Sequence, residues 1–309
     1  MNFREELGQM LDKNEGYLCD FQLQEFSESL RENREEIPLL YRYTCADYYN
    51  IRNFETGKLF LSNIGYMNDI FEGLADCFDD KTIGCTESLS DYPDDALNAY
   101  VEKLSDIVYL KSFSESENDL YMWAIYAESC KGMCIQYDLR NMHGAEDYYS
   151  YLFPVHYMTE RYKAKSFMAH LPEYFDSYKH GDDDAKFNNA EFLCDITAPF
   201  LSKAACWKAE KEWRLIAPYI RMNIEGDLGC KLEDADHDEN YTIKDKIINF
   251  PYATCVYLGP RMETSKKDHL KEIAFRKGNI RVIETRIALE EYKLEMREVT
   301  KDGVEAWHA

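Results

Sequence analysis

The amino-acid sequence predicts a mixed α+β protein, one domain over residues 37–309 with a central, partly antiparallel sheet, preceded by a helical leader over residues 1–36. Three observations predict it. Helical and strand periodicities interleave without the even alternation of a doubly wound sheet or a barrel. No repeat period and no Pro/Ser-rich linker divides the 309 residues. Apolar residues make up 45% of the chain, which is enough to build a sizeable core.

Taken in order, Phe3, Leu7, Met10 and Leu11 follow helical spacing, and Leu23, Phe26 and Leu30 do so again before the charged run from Arg31 to Glu36. Pro38 closes this leader. The β-favouring run from Leu39 to Tyr43 predicts a strand, Asp47 to Phe54 a helix stopped by Gly57, and Lys58 to Ser62 a second strand. Ala96, Leu97, Tyr100, Val101 and Leu104 mark a helix that ends before a buried strand over Ile107 to Leu110. Asn118 or Asp119 can cap a helix carrying Met122, Trp123 and Tyr126, with Gly132 as its stop before an alternating strand from Met133 to Tyr137. Residues 160–205 read as mainly helical, and Trp213 to Ala217 as a strand. Residues 223–240 read as an acidic loop or hairpin. A strand at Cys255 to Leu258, a helix capped by Ser265 and ended by Gly278, and a half-exposed strand through Tyr292, Leu294 and Met296 complete the chain.

Charge and composition narrow the function. Thirty-six basic against 58 acidic residues leave a net charge of −22, so the average field repels nucleic-acid backbones and anionic membranes; non-specific nucleic-acid binding is not expected. No run approaches the roughly 18 apolar residues of a membrane helix, and the acidic start lacks a secretory pattern. Ten scattered cysteines then predict reduced, buried thiols in a cytoplasmic protein. Cys130 and Cys134 have no second pair at zinc-site spacing, the Asp234, Asp236 and Asp238 run lacks the Gly and Glu of a calcium loop, and the seven histidines show no paired spacing, so no metal is expected.

Arg42, on the first strand, can present its planar fork to a phosphate or carboxylate, or simply join a surface ion pair. Ser112 and Ser114 sit where a buried strand runs into a polar loop, placed to orient a carboxylate or ribose; capping before Asn118 is the other reading for Ser114. Glu210 and Glu212 lie two apart, so on a strand both would point to one side, and one would carry a raised pKa suited to acid–base work. Otherwise they share a solvated face with Lys208, Lys211 and Arg214. Trp123 and Tyr126 read as core packing, while Trp207 and Trp213 flank the acidic pair as walls of a pocket.

The stretches Leu40-Tyr41-Arg42-Tyr43-Thr44, Asn68-Asp69-Ile70-Phe71-Glu72, Ser112-Phe113-Ser114, Met122-Trp123-Ala124-Ile125-Tyr126-Ala127 and Glu210-Lys211-Glu212-Trp213-Arg214, in this order, resemble the family known as domain of unknown function 2971, over roughly residues 39–262. Ile70 stands where that family usually has Pro, so the turn after Asp69 lacks a fixed φ. The motif order also resembles the Arg, Ser, Glu-x-Glu signature of NAD-dependent ADP-ribosyltransferases. That similarity implies an ADP-ribosyltransferase-like fold and NAD as substrate. Arg42 would hold the pyrophosphate and Ser112 or Ser114 would brace the pocket. Glu212 would stabilise the oxocarbenium-like ribose, Glu210 would orient an unknown macromolecular acceptor, and Tyr43 or Tyr66 would stack on a base. It further implies a bacterial toxin or anti-phage effector. Two other readings stand beside it: a non-catalytic ligand-sensing or protein-interaction module, and a nuclease gathering Asp69, Glu72, Glu210 and Glu212 around a divalent cation with Lys211 near the scissile phosphate.

Overall fold

Two amphipathic helices open the structure, a computed structural model that describes residues 2–13, 20–63, 67–69, 108–140, 146–162, 197–218, 233–234 and 246–308. They are α1 (Phe3–Lys13) and α2 (Asp20–Glu32), and the positions read as apolar from their spacing, Phe3, Leu7, Leu11, Phe26 and Leu30, are all buried in the main core. Strand β1 (Leu40–Thr44) leads into α3 (Tyr48–Thr56), where the Asp47 carboxylate caps the Asn50 N–H at 2.8 Å and Gly57 ends the helix at φ 69°. Then come β2 (Lys58–Asn63), β3 (Val108–Ser114), α4 (Leu120–Tyr126) and β4 (Met133–Tyr137). The later strands are β5 (Leu152–Pro154), β6 (His156–Met158), β7 (Ser202–Ala204), β8 (Glu212–Pro218), β9 (Glu233–Asp234), β10 (Lys246–Asn249) and β11 (Ala253–Leu258). Helix α5 (Thr264–Lys277) crosses to β12 (Arg281–Ile287), followed by β13 (Leu294–Thr300) and β14 (Gly303–Val304).

Twelve of these strands form one mixed sheet, in the order β14-β13-β12-β11-β4-β1-β3-β2-β10-β9, with β8 laid against β3 and β5 against β8. The pairs are antiparallel except β11 with β12, which are parallel and joined through α5, as a parallel pair requires a crossover. Strand alternation sorts side chains between two faces. Leu40, Val256 and Leu258 join the main core with residues of α1, α2, α3 and α5. Tyr41, Tyr43, Cys134, Cys255 and Tyr257 join a second cluster with Met122 and Trp123 of α4. A mixed α+β architecture around a large mixed sheet is thus what the chain adopts. Among the described residues no helix is long and apolar enough to cross a membrane, and Cys45, Cys130, Cys134, Cys206 and Cys255 are free thiols.

Several local expectations are corrected. The strand read as ending at Leu110 continues to Ser114, because the hydroxyls of Ser112 and Ser114 belong to a polar patch of the sheet rather than to a loop. Where residues 160–205 read as helical, the described part holds the short 3₁₀ turn Ala198–Leu201 and β7, with a second 3₁₀ turn at Ala205–Glu210. Pro199 near the start of the first turn removes a donor that a longer helix would use. Helix α5 starts after Glu263, with no side-chain cap from Ser265. Strands β5, β6, β10 and β12 lacked a strong alternating signal; the first two are only three residues long. The helix read at 96–104 and most of the acidic 223–240 segment lie outside the described residues.

Candidate functional site

Strands β1 and β2 meet the same edge of β3 at different places: Tyr41 pairs with Ser114, whereas Ser62 and Asn63 pair with Leu110 and Tyr109. A cavity of about 370 Å³ opens in the interval, within the usual range of small-molecule pockets. Arg42, Tyr43, Ser112, Ser114, Glu210 and Glu212 all line it. Tyr66 lies outside the described residues.

Register decides which side chains meet. Tyr41, Ser114 and Glu212 form one row across β1, β3 and β8, and Ser112 stands opposite Arg214 in the next row of the same face. Arg42 is one residue out of phase, so its side chain leaves from the other face. There its Nη2 donates to Asn50 Oδ1 of α3 at 2.7 Å. Arg42 is only 6% exposed and, among the described residues, has no carboxylate partner. The expected surface ion pair is therefore not what holds it. Cation and carboxylates share the cavity because it spans the gap between strands, with Lys111 and Ser62 also in its wall.

Glu210 and Glu212 do converge, for a reason other than strand alternation. Glu210 ends the 3₁₀ turn Ala205–Glu210, Lys211 takes a left-handed backbone at φ 46°, and Glu212 begins β8. This turn aims both carboxylates at the ammonium of Lys203 on β7, which donates to Glu210 Oε2 at 2.7 Å and to Glu212 Oε2 at 3.0 Å. Arg214 Nε donates to Glu212 Oε1 at 2.8 Å, and its Nη1 to the Phe200 carbonyl at 2.8 Å. The second oxygen of Glu210 accepts the Tyr126 hydroxyl, which in turn accepts from Asn68 Nδ2 at 2.8 Å. All four charged groups are buried: Glu210 is 2%, Glu212 3%, Lys203 7% and Arg214 0% exposed. Two cations against two anions leave the cluster neutral, and neutrality is what makes its burial tolerable.

The solvated face read for the acidic pair is thus corrected: Glu210, Glu212 and Arg214 are buried, and only Lys208 and Lys211 are exposed. For Glu212 a raised pKa is corrected as well. Burial pushes the Glu212 carboxyl up, but the charges of Arg214 and Lys203 outweigh it and hold the group at about 2. Lys203 is held above its ordinary value because its carboxylates outweigh the desolvation that opposes them. The Ser112 hydroxyl faces Glu212 from the cavity wall and helps to hold its carboxyl down. Ser114 is committed: its hydroxyl donates to the Glu210 carbonyl at 2.8 Å and accepts from the Ser116 N–H at 3.2 Å. Tyr43 donates to the Ser116 carbonyl at 2.6 Å and packs edge-on against Trp123 at 5.3 Å.

Tyr126 belongs to the site rather than only to the core, while Trp123 is core, as read. Trp213 walls no pocket on the acid side; it points to the opposite face, against Phe3 at 6.1 Å, and donates to Glu115 at 2.7 Å. Trp207 lies under the Lys203 ammonium at 4.9 Å. Sequence reading missed Lys203, which no motif marks; Arg214 could have been found from its i, i+2 relation to Glu212. Asp69 lines a neighbouring cavity of about 220 Å³, which shares Lys203 with the first. Glu72 lies outside the described residues, and among those described no group of three or more His, Cys, Asp or Glu is placed to hold a metal ion.

Fold and site together define a mixed α+β protein with a charged, strand-lined pocket. A family model described as a protein of unknown function (DUF2971) matches residues 122–215. The match takes in Tyr126, Lys203, Glu210, Glu212 and Arg214 and is narrower than the resemblance read from motifs, leaving out Arg42, Ser112 and Ser114. No curated protein and no solved structure matches the chain.

Proposed function

We propose that the cavity binds NAD and that the protein is ADP-ribosyltransferase-like, cleaving the nicotinamide–ribose bond and passing ADP-ribose to a macromolecule or to water. One observation carries the reading: the buried Arg42 guanidinium, with no acid partner among the described residues, lines the same cavity as two buried carboxylates. A buried cation without a counter-charge is costly, and an anion entering the cavity relieves it. The pyrophosphate of a dinucleotide suits the planar fork. Glu212, kept ionised by Arg214 and Lys203, supplies the fixed negative charge that an oxocarbenium-like ribose needs. In this reading the Ser112 hydroxyl, beside Glu212 in the cavity wall, takes a ribose oxygen, and Glu210, which accepts the Tyr126 hydroxyl, orients the acceptor. Free thiols suit a cytoplasmic setting, and NAD consumption suits a toxin or anti-phage effector.

Nicotinamide release from NAD tests the reaction. Glu212→Gln is expected to lower kcat about 100-fold or more with NAD binding retained, because a charge used in the transition state is lost. Full turnover in that variant would remove Glu212 from the chemistry. Arg42→Ala is expected to weaken NAD binding at least about tenfold in calorimetry, and unchanged affinity would remove it from the pocket.

A second reading is favoured by the saturation of Glu212, both of whose oxygens already accept from Arg214 or Lys203. In it the same pocket senses an anionic ligand without chemistry. Nucleotide binding by the wild type with no nicotinamide released, under conditions where the protein is folded, would select it.

A further inference from the structure

We infer that Arg4, in the leader helix α1, is a positioning residue for the acidic pair. Its guanidinium crosses 208 positions of sequence to the strand carrying Glu212: Nη1 donates to the Glu212 carbonyl at 2.9 Å and to the Val155 carbonyl, and Nη2 to Glu115 Oε1 at 2.6 Å. The same guanidinium lies over the Tyr157 ring at 5.4 Å, and the Tyr157 hydroxyl accepts the Glu212 N–H at 2.7 Å. Glu115 ties the arrangement to the neighbouring residues, accepting from Trp213 Nε1 at 2.7 Å and donating its N–H to the Lys211 carbonyl at 3.2 Å. Val155 donates its own N–H to the Glu212 carbonyl at 2.9 Å. The main chain on either side of Glu212 is therefore fixed by groups that meet at Arg4.

That fixation matters because the turn it holds is unfavourable by itself. Lys211 is neither Gly nor Asn, yet it takes a left-handed backbone, and such conformations persist only where their surroundings enforce them. Relaxing Lys211 toward extended backbone would swing Glu210 and Glu212 apart and off Lys203. Arg4 touches neither carboxylate and does not line the cavity. It acts through the backbone of the residues that do, and the leader becomes a structural part of the site.

The inference rests on the proposed NAD chemistry for its kinetic arm only. In Arg4→Gln, hydrogen exchange at the Val155 and Glu212 amides is expected to quicken about 10- to 100-fold, the loss of a hydrogen bond from a charged donor, while amides at Leu110 and Ile216 stay within about twofold. With NAD, kcat is expected to fall at least about tenfold at a KM within about twofold, and Arg4→Lys, which keeps a donor and the charge, should recover part of it. Unchanged exchange at Val155 and Glu212 in folded Arg4→Gln would overturn the inference, as would a KM rise at unchanged kcat. Should Arg4→Gln fail to fold, Glu115→Gln loosens the same anchor and is expected to quicken the same two amides by a smaller factor; no change there also overturns it. If the wild type releases no nicotinamide, the functional reading fails while the exchange result still decides the role of Arg4.

Discussion

Removing the Lys203 ammonium would leave two carboxylates pointed at an empty space, with only Arg214 to balance them. Breaking a buried pair by deleting one partner costs about 3–5 kcal/mol, so Lys203→Met is expected to lower the urea midpoint by that equivalent. The pH dependence has a definite sign. Glu212 is held at about 2 against an ordinary 4.5, so its contribution to stability is complete above about 4.5 and is lost as pH falls toward 2. With one of its two cations gone, acid unfolding of Lys203→Met followed by circular dichroism should begin at a higher pH than in the wild type. An identical acid limb would mean that Arg214 alone sets the charge of Glu212. At this scale the sequence marked both carboxylates but not what neutralises them. Lys203 is one lysine among many, and its burial depends on β7 being folded under the acidic pair.

Helix α4 and the turn behind it deliver Tyr126 to Glu210, and its start was legible. The Asp119 carboxylate accepts from the Tyr121 N–H at 2.8 Å and the Met122 N–H at 3.4 Å, the cap that its residue type announces. Asp119→Ala is expected to cost about 1 kcal/mol in chemical denaturation, and a loss below a few tenths would show that packing of Trp123 alone holds the helix. After the helix the chain makes a left-handed turn through Glu128, Ser129 and Cys130, and Gly132 then passes so close to β1 that an added Cβ would lie 2.1 Å from the Thr44 carbonyl oxygen. That oxygen and the Ala127 carbonyl oxygen, 3.0 Å from the same point, are backbone and cannot give way. Gly132→Ala is expected to abolish folding or cost well over the roughly 1 kcal/mol of a helix-end glycine such as Gly278, where nothing lies within 4 Å. Comparing the two melting temperatures separates close approach from backbone strain. Sequence read Gly132 as the helix stop, whereas the helix ends at Tyr126; the approach of β1 that makes Gly132 indispensable is a tertiary fact.

Across the whole molecule, α1 is held to the body by a contact that titrates. The His156 ring of β6 packs directly over Gly8, where an added Cβ would lie 2.6 Å from Nδ1. Burial lowers the His156 pKa; nearby Asp12 opposes this and Arg4 adds to it, and the downward direction prevails. A base whose folded pKa is depressed stays neutral while the unfolded chain takes up a proton, so docking is at full strength above about 6.5 and weakens as pH falls below it. Amide exchange in α1, corrected for its intrinsic pH dependence, should therefore quicken from pH 7.5 to 5.5, and His156→Gln should remove the pH term. A leader equally protected at both pH values would show that Phe3, Leu7 and Leu11 dominate its attachment.

By itself, the sequence determined what local physics encodes: the amphipathic leader helices, the short helix closed by Gly57, the cap at Asp119, the strands β1 and β4, the mixed α+β class and the acidic pair. These follow from side-chain period and backbone preference within a few residues. Only the tertiary structure decided that Arg42 leaves the opposite face from Glu212 and still shares a cavity with it. Only it decided that Lys203 joins the carboxylates and that Arg4 reaches their backbone from the far end of the chain. Those outcomes depend on strand register and on contacts outside any local period, from Lys203 to carboxylates seven and nine positions on to Arg4 meeting Glu212 across 208, and a one-residue shift exchanges the faces of a strand. No local pattern fixes such a relation, because the free energy that selects it comes from burial of the assembled sheet.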